Sequence, residues 1–156
     1  TVPGSKAWDA DSPSVLTWVK LKSIMTQEDL FVFNTRLPKE PKAKLESSKL
    51  LISRVAEISK NDIFIITGDF NSQPEEENIK MISQFCKEAR ESSFLKTSTI
   101  NHTFVQKIQG GRILKTLDYV FFSNEIPVNS YDVLDNSYNN KYPSDHLPVL
   151  CKLRFP

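Results

Sequence analysis

Three short stretches place carboxylate, carboxamide or imidazole groups where apolar strands are expected to begin or end. The first is Thr67-Gly68-Asp69-Phe70-Asn71-Ser72, which follows the continuous apolar run Ile63–Thr67. In an extended chain alternate residues point the same way, so Asp69 and Asn71 are predicted to project together. A carboxylate and an amide at that place suit a hard, oxygen-liganded ion and a positioned water or phosphate. The same residue types also make ordinary turns. The second stretch is Leu117-Asp118-Tyr119-Val120-Phe121-Phe122. An unpaired charge at the start of so apolar a strand would cost several kcal/mol to bury, so Asp118 needs an imidazole or a metal beside it unless it faces water. The third is Tyr142-Pro143-Ser144-Asp145-His146-Leu147-Pro148-Val149. Adjacent residues of an extended segment point to opposite sides, so Asp145 is expected to face an ion while His146 faces substrate. A hydrogen bond to Asp118 would fix the tautomer of His146 and raise its basicity. The other histidine, His102, has no such neighbour and reads as structural.

The elements that must hold these groups follow from periodicity. Val15–Leu21 and Leu30–Thr35 read as strands joined by a polar turn at 26–29, with Pro38 and Pro41 closing the second. From Lys42 to about Ser59 the spacing is helical, with Leu45, Leu51, Ile52, Val55 and Ile58 on one face and Lys44, Lys49 and Glu57 off it. Asn61-Asp62 break the helix, and the apolar run Ile63–Thr67 is the kind of strand buried on both faces. A second helix is expected after Ser72, with Pro74 and Glu75-Glu76-Glu77 in its first turn and a stripe of Ile79, Ile82, Phe85 and Ala89. Beyond Ser98 the chain is predicted to be β-rich: Thr103–Ile108, a Gly110-Gly111 turn, Ile113–Phe122, Val128–Leu134 and Val149–Phe155, with an Asn/Asp/Ser-rich loop at Asp135–Lys141. This alternation indicates a layered α/β protein.

Composition sets the outer bounds. The 156 residues suit one domain with a real core, stocked with 10 Phe and 2 Trp. A net charge of +1 gives no support to a strongly basic nucleic-acid surface. Seven Lys/Arg against three Glu in residues 36–60 read as a solvated helix face. Two cysteines, Cys86 and Cys151, read as buried free thiols, and no run of 18 apolar residues exists. Asn101-His102-Thr103 matches a glycosylation sequon but decides nothing alone. Localisation stays open.

Gly68-Asp69-Phe70-Asn71, Leu117-Asp118-Tyr119-Val120-Phe121 and Ser144-Asp145-His146-Leu147-Pro148-Val149 resemble the closing motifs of the endonuclease/exonuclease/phosphatase superfamily. Trp8-Asp9-Ala10, Thr17-Trp18 and Phe33-Asn34-Thr35 extend the resemblance over nearly the whole chain. It implies a DNase I-like four-layer α/β/β/α sandwich lacking its N-terminal strands, with residues 1–156 a single partial domain. It also implies hydrolysis of a phosphoester, in a nucleic acid or a small phosphate ester, with Mg²⁺ or else Mn²⁺ as cofactor. By that resemblance Asp69, Asn71, Asp118 and His146 are catalytic, Asp69 and Asp145 meet the metal, and Asn34, Arg36 and Asn71 touch substrate. The family's first half supplies an Asn and a metal-binding Glu, so the 156 residues alone are expected to be weak or inactive without that half as a partner. Arg36 stands where many members carry a catalytic His, and Ser14 where relatives often carry Arg. These departures leave a second reading, a decayed relative that serves as a binding or structural module.

Overall fold

The structure is a computed structural model and describes residues 4–154 apart from Asn61, Thr97, Glu125 and Asn140. Its centre is a five-stranded sheet in the order β1-β2-β3-β8-β4. β1 (Leu16–Lys22) and β2 (Asp29–Arg36) form an antiparallel hairpin. A chain that leaves β2 can pair in parallel only after a long crossover, and here the 19-residue helix α1 (Pro41–Ser59) carries it to β3 (Ile63–Asp69). β8 (Asp118–Phe122) then pairs antiparallel with β3, and the short β4 (Lys87–Glu88) closes the far edge.

Alternation along β2 and β3 divides the apolar side chains between two layers. Phe31, Phe33, Phe64 and Ile66 face Leu51 and Val55 of α1 and Ile79 and Ile82 of α2 (Glu77–Phe85). Ile63, Ile65 and Val120 face the other way, onto a three-stranded sheet ordered β10-β9-β5. That sheet comprises β5 (Leu95–Lys96), β9 (Val128–Val133) and β10 (Val149–Leu153). A separate hairpin, β6 (Phe104–Ile108) with β7 (Gly111–Lys115), stands at the rim. α3 (Ala89–Ser92) is a single turn between the two sheets, touching β8 and β9. The expected α/β/β layering is present, and no long helix forms a fourth layer among the described residues.

Several expected boundaries shift for local reasons. The run 113–122 is two strands, because Leu117 turns its carbonyl to the Phe70 amide (2.7 Å) and the chain passes from the rim hairpin into the main sheet. Pro74 and Glu75 precede α2 and do not belong to its first turn. The Glu76 carboxylate instead accepts from the Gln73 amide (2.8 Å) and from Lys44 Nζ (2.6 Å). α2 ends at Phe85, so Ala89 packs from α3. The rim turn is Gln109-Gly110, Gly111 opens β7, and Phe155 lies outside the described residues. Lys44, expected off the apolar face of α1, has a side chain only 11% exposed.

No residue of α1 caps its own start. Asp9, over thirty residues upstream, does so with both carboxylate oxygens, accepting from Ala43 N (2.5 Å) and Lys42 N (3.3 Å). Both cysteines are free, but only Cys86 is buried; Cys151, on the short edge strand β10, is half-buried, and burial pushes the Cys86 thiol up to about 12 and the Cys151 thiol to about 11.

Candidate active site

Register brings the first site residues together. Arg36 lies opposite Asp69 across the parallel β2–β3 pair, and Asp69 lies opposite Asp118 across β3–β8. The three charges form a row at the end of three adjacent strands. Gly68 makes the approach possible, because a Cβ built there would stand 1.9 Å from the Thr35 carbonyl oxygen.

The Asp69 side chain is 13% exposed. Oδ2 lies 3.2 Å from Arg36 Nε, and Oδ1 accepts from the Asn71 amide at 2.9 Å. Burial raises the Asp69 pKa above the usual carboxylate range, and Asp118 pushes the same way, while the Asn71 amide, His146 and Arg36 pull it down. The net effect is a carboxyl group harder to ionise than a free one.

Asn71 departs from its expectation. The strand ends at Asp69, and Asn71 takes φ +48, a left-handed conformation that Asn tolerates. Its Nδ2 donates to the Leu37 carbonyl at 2.7 Å. The Asp-x-Asn pair therefore acts as a turn locked on the carboxylate it follows, although Asn71 still lines the cavity.

The third stretch meets the second. His146 Nδ1 lies 2.8 Å from Asp118 Oδ2, which gives Asp118 the partner its burial requires. With Nδ1–H donating to the carboxylate, Nε2 is the ring nitrogen left for substrate. Phe104 packs edge-on against the imidazole, ring centroids 5.1 Å apart. Asp69, Asp118 and His146 each bring one ligand atom within 4.8 Å of the other two. Asp145 is exposed on the same cavity wall, and its backbone carbonyl accepts from Val105 N. Asn34 lies elsewhere: its amide donates to Thr67 Oγ1 (2.9 Å) and Thr67 O (3.3 Å), and it lines a neighbouring groove.

Two residues of this arrangement carry no signal in the sequence. Thr103, fully buried, donates from Oγ1 to Asp118 Oδ2 at 2.6 Å and accepts there from the amides of Leu117 and Asp118, both 3.0 Å. Its carbonyl also accepts from Leu147 N at 2.6 Å, so one threonine ties the carboxylate and the His146 segment together. The only sequence mark on it is the sequon. Thr103→Val keeps the shape and removes the donor. It is expected to lower turnover roughly 10-fold, with Thr103→Ser close to the parent. Steady-state kinetics of the two variants check this. Lys44 is the second, donating to Glu76 and, at 3.0 Å, to the Asn71 carbonyl, and so tying α1 to the Asn71 turn.

These groups line a bowl of about 840 Å³, with Arg36, Lys39, Lys44 and Lys115 as its cations and Asp69, Glu76, Asp118 and Asp145 as its carboxylates. Such a volume falls within the range of small-molecule sites. Two converging carboxylates suit a hard divalent cation, which takes one or two carboxylates and completes its shell from water and phosphate.

Neither a family sequence model nor a curated protein sequence matches the chain. Solved structures do. The chain is similar to a mannosyl-6-phosphatase from Bacteroides thetaiotaomicron, with TM-score 0.86 and 28% identity over 97% of this chain and 61% of that one. It is similar to an endonuclease/exonuclease/phosphatase family protein of the same organism, with TM-score 0.85 and 28% identity over 96% and 59%. The human Nocturnin catalytic domain with bound sulfate anion shares the fold at TM-score 0.74 and 24% identity, over 92% and 53%. The chain thus spans about 60% of the length of the first two.

Proposed function

We propose that this chain, which shares the fold of an endonuclease/exonuclease/phosphatase family protein, hydrolyses a phosphoester with the help of a divalent cation. The observation that carries the reading is the meeting of Asp69, Asp118 and His146 within 4.8 Å from three separate stretches of chain. Asp69 and Asp145 would hold Mg²⁺ or Mn²⁺, which when bound neutralises charge on the phosphoryl oxygens. Asp118, fixed by Thr103, holds His146 so that Nε2 can bond a phosphate oxygen or exchange a proton with it. Asp69 would orient the attacking water, and Asn71 holds Asp69 through its backbone amide. Arg36 contributes charge for a phosphate oxygen but cannot donate a proton near neutral pH. Asn34, engaged with Thr67, contacts substrate only if the substrate reaches the neighbouring groove.

Asp69→Asn separates function from stability. Because burial raises the Asp69 pKa, the charged carboxylate burdens the fold at neutral pH. The variant is therefore expected to melt higher in metal-free buffer at neutral pH. That advantage fades as pH falls through the raised pKa and the parent carboxylate protonates, and it is gone below the unfolded-state pKa. The same variant is expected to lose Mg²⁺-dependent hydrolysis and to weaken Mn²⁺ binding. Thermal melts across pH, Mn²⁺ titration and an esterase assay read all three. Undiminished hydrolysis and metal binding in Asp69→Asn would refute the proposed role.

A further inference from the structure

Asp69 is held by two partners of different kinds. Oδ1 accepts from the Asn71 amide, a backbone group fixed by the turn, and Oδ2 lies 3.2 Å from Arg36 Nε, on a long side chain. The two members of the ion pair also differ in freedom. The Asp69 side chain is 13% exposed, on a strand paired with β2 on one side and β8 on the other. The Arg36 side chain is 67% exposed at the end of β2. It borders three adjoining cavities: the bowl, a groove of about 550 Å³ walled by residues 11–15, and a groove of about 450 Å³ beside Asn34. When this contact opens, the guanidinium has room to move and the carboxylate has not.

The contact is also a weak one of its type. Arginine binds a carboxylate best with two parallel N–H donors, and here a single nitrogen faces a single oxygen. Arg36 makes no hydrogen bond among the described residues, so the fork of its terminal nitrogens, which matches a phosphate as well as a carboxylate, is unused. A divalent cation on Asp69 meets this guanidinium at close range. Like charges on one carboxylate repel, and around a group so little exposed water screens them poorly. Asp118, opposite Asp69 on the side away from Arg36, adds a second carboxylate that favours the doubly charged ion. The mobile, singly charged partner is the one that gives way.

Building on the hydrolase reading, we propose that Arg36 and the divalent cation compete for Asp69, so that metal binding releases the guanidinium to grip the phosphate of the substrate. Metal and anion then bind cooperatively. The metal frees the ligand of the anion, and the anion, by engaging Arg36, clears Asp69 for the metal. Linkage requires the factor to be the same in both directions.

The test measures Mn²⁺ affinity in the parent and in Arg36→Gln, from the paramagnetic resonance of free Mn²⁺. Each protein is titrated with and without sulfate, an unreactive tetrahedral dianion. Without sulfate, Arg36→Gln is expected to bind Mn²⁺ about 10-fold more tightly than the parent, within the ordinary range for coupled sites. Sulfate is expected to tighten Mn²⁺ binding more in the parent than in the variant, where only direct contact between the two ions remains. A side-chain ¹⁵N spectrum reads the exchange in the parent itself. The Arg36 Nε signal, assigned by its loss in Arg36→Lys, should shift along the Mg²⁺ binding curve and shift again with sulfate. Equal or weaker Mn²⁺ binding in Arg36→Gln overturns the proposal and leaves the hydrolase reading standing. An equal sulfate effect in both proteins does the same, as does an Arg36 signal that ignores bound Mg²⁺. Failure of either protein to bind Mn²⁺ overturns both readings. Tighter Mn²⁺ binding and a smaller sulfate effect in Arg36→Gln, with no ester hydrolysed by the parent, support the exchange and count against the hydrolase reading alone.

Discussion

His146→Ala is expected to lower the proposed Mg²⁺-dependent phosphoester turnover by about 10²–10⁴-fold, the range for removing a positioned acid or base. On the proposed role, in which the imidazole would act on the phosphate as it reacts, the loss should fall on kcat, and the fold should stay intact at a position 27% exposed. Asp118→Asn is expected to follow with a loss of about 10–100-fold. Its Oδ2 is engaged by the protein: it accepts from His146 Nδ1 at 2.8 Å and from Thr103 at 2.6 Å. The two substitutions should not add, because Asp118 acts through the ring that His146→Ala removes. Rate ratios for the two single variants and the double variant measure this. Full turnover in His146→Ala with an unchanged circular dichroism spectrum would remove the histidine from the mechanism.

Gly68→Ala is the substitution with the largest expected effect on stability. The added Cβ would stand 1.9 Å from Thr35 O and 2.9 Å from Thr35 C, inside the parallel β2–β3 pair. Neither atom is the end of a flexible side chain, so the strands must part, and they part at the point where they deliver Arg36 and Asp69. The cost is expected at about 3 kcal/mol or more, read as a fall in the urea midpoint at constant slope. An unchanged midpoint would mean that the pair is looser than the geometry indicates.

The parts of the site that are legible in sequence are those where composition contradicts its surroundings. Asp118 stands out because a charge opens an apolar strand, and that contradiction correctly asks for a partner. Asp69 stands out at the end of a strand buried on both faces. Asn71 is visible but misleading: an alternation rule holds while the backbone stays extended, and the chain turns left-handed two residues after Asp69. Thr103 and Lys44 cannot be found this way. A threonine before a strand is common, and its value here comes from hydrogen bonds to residues 14 and 15 positions on. Helical periodicity assigns Lys44 to water, since it describes apolar faces and has nothing to say about a cation recruited by a loop 27 residues later. The long helix α1 and the central strands are legible because their patterns run for many residues. The two-residue strands β4 and β5 are not, because pairing partners alone define them.

The row formed by Arg36, Asp69 and Asp118 also dictates where this chain can change length. Each of the three residues owes its position to counting along a strand from a fixed partner. Inserting or deleting a single residue within β2, β3 or β8 would send its charge to the opposite face of the sheet. The described residues from Asp135 to Lys141 lie in none of these strands, and natural or engineered variants should differ there by whole segments while keeping the row of charges intact.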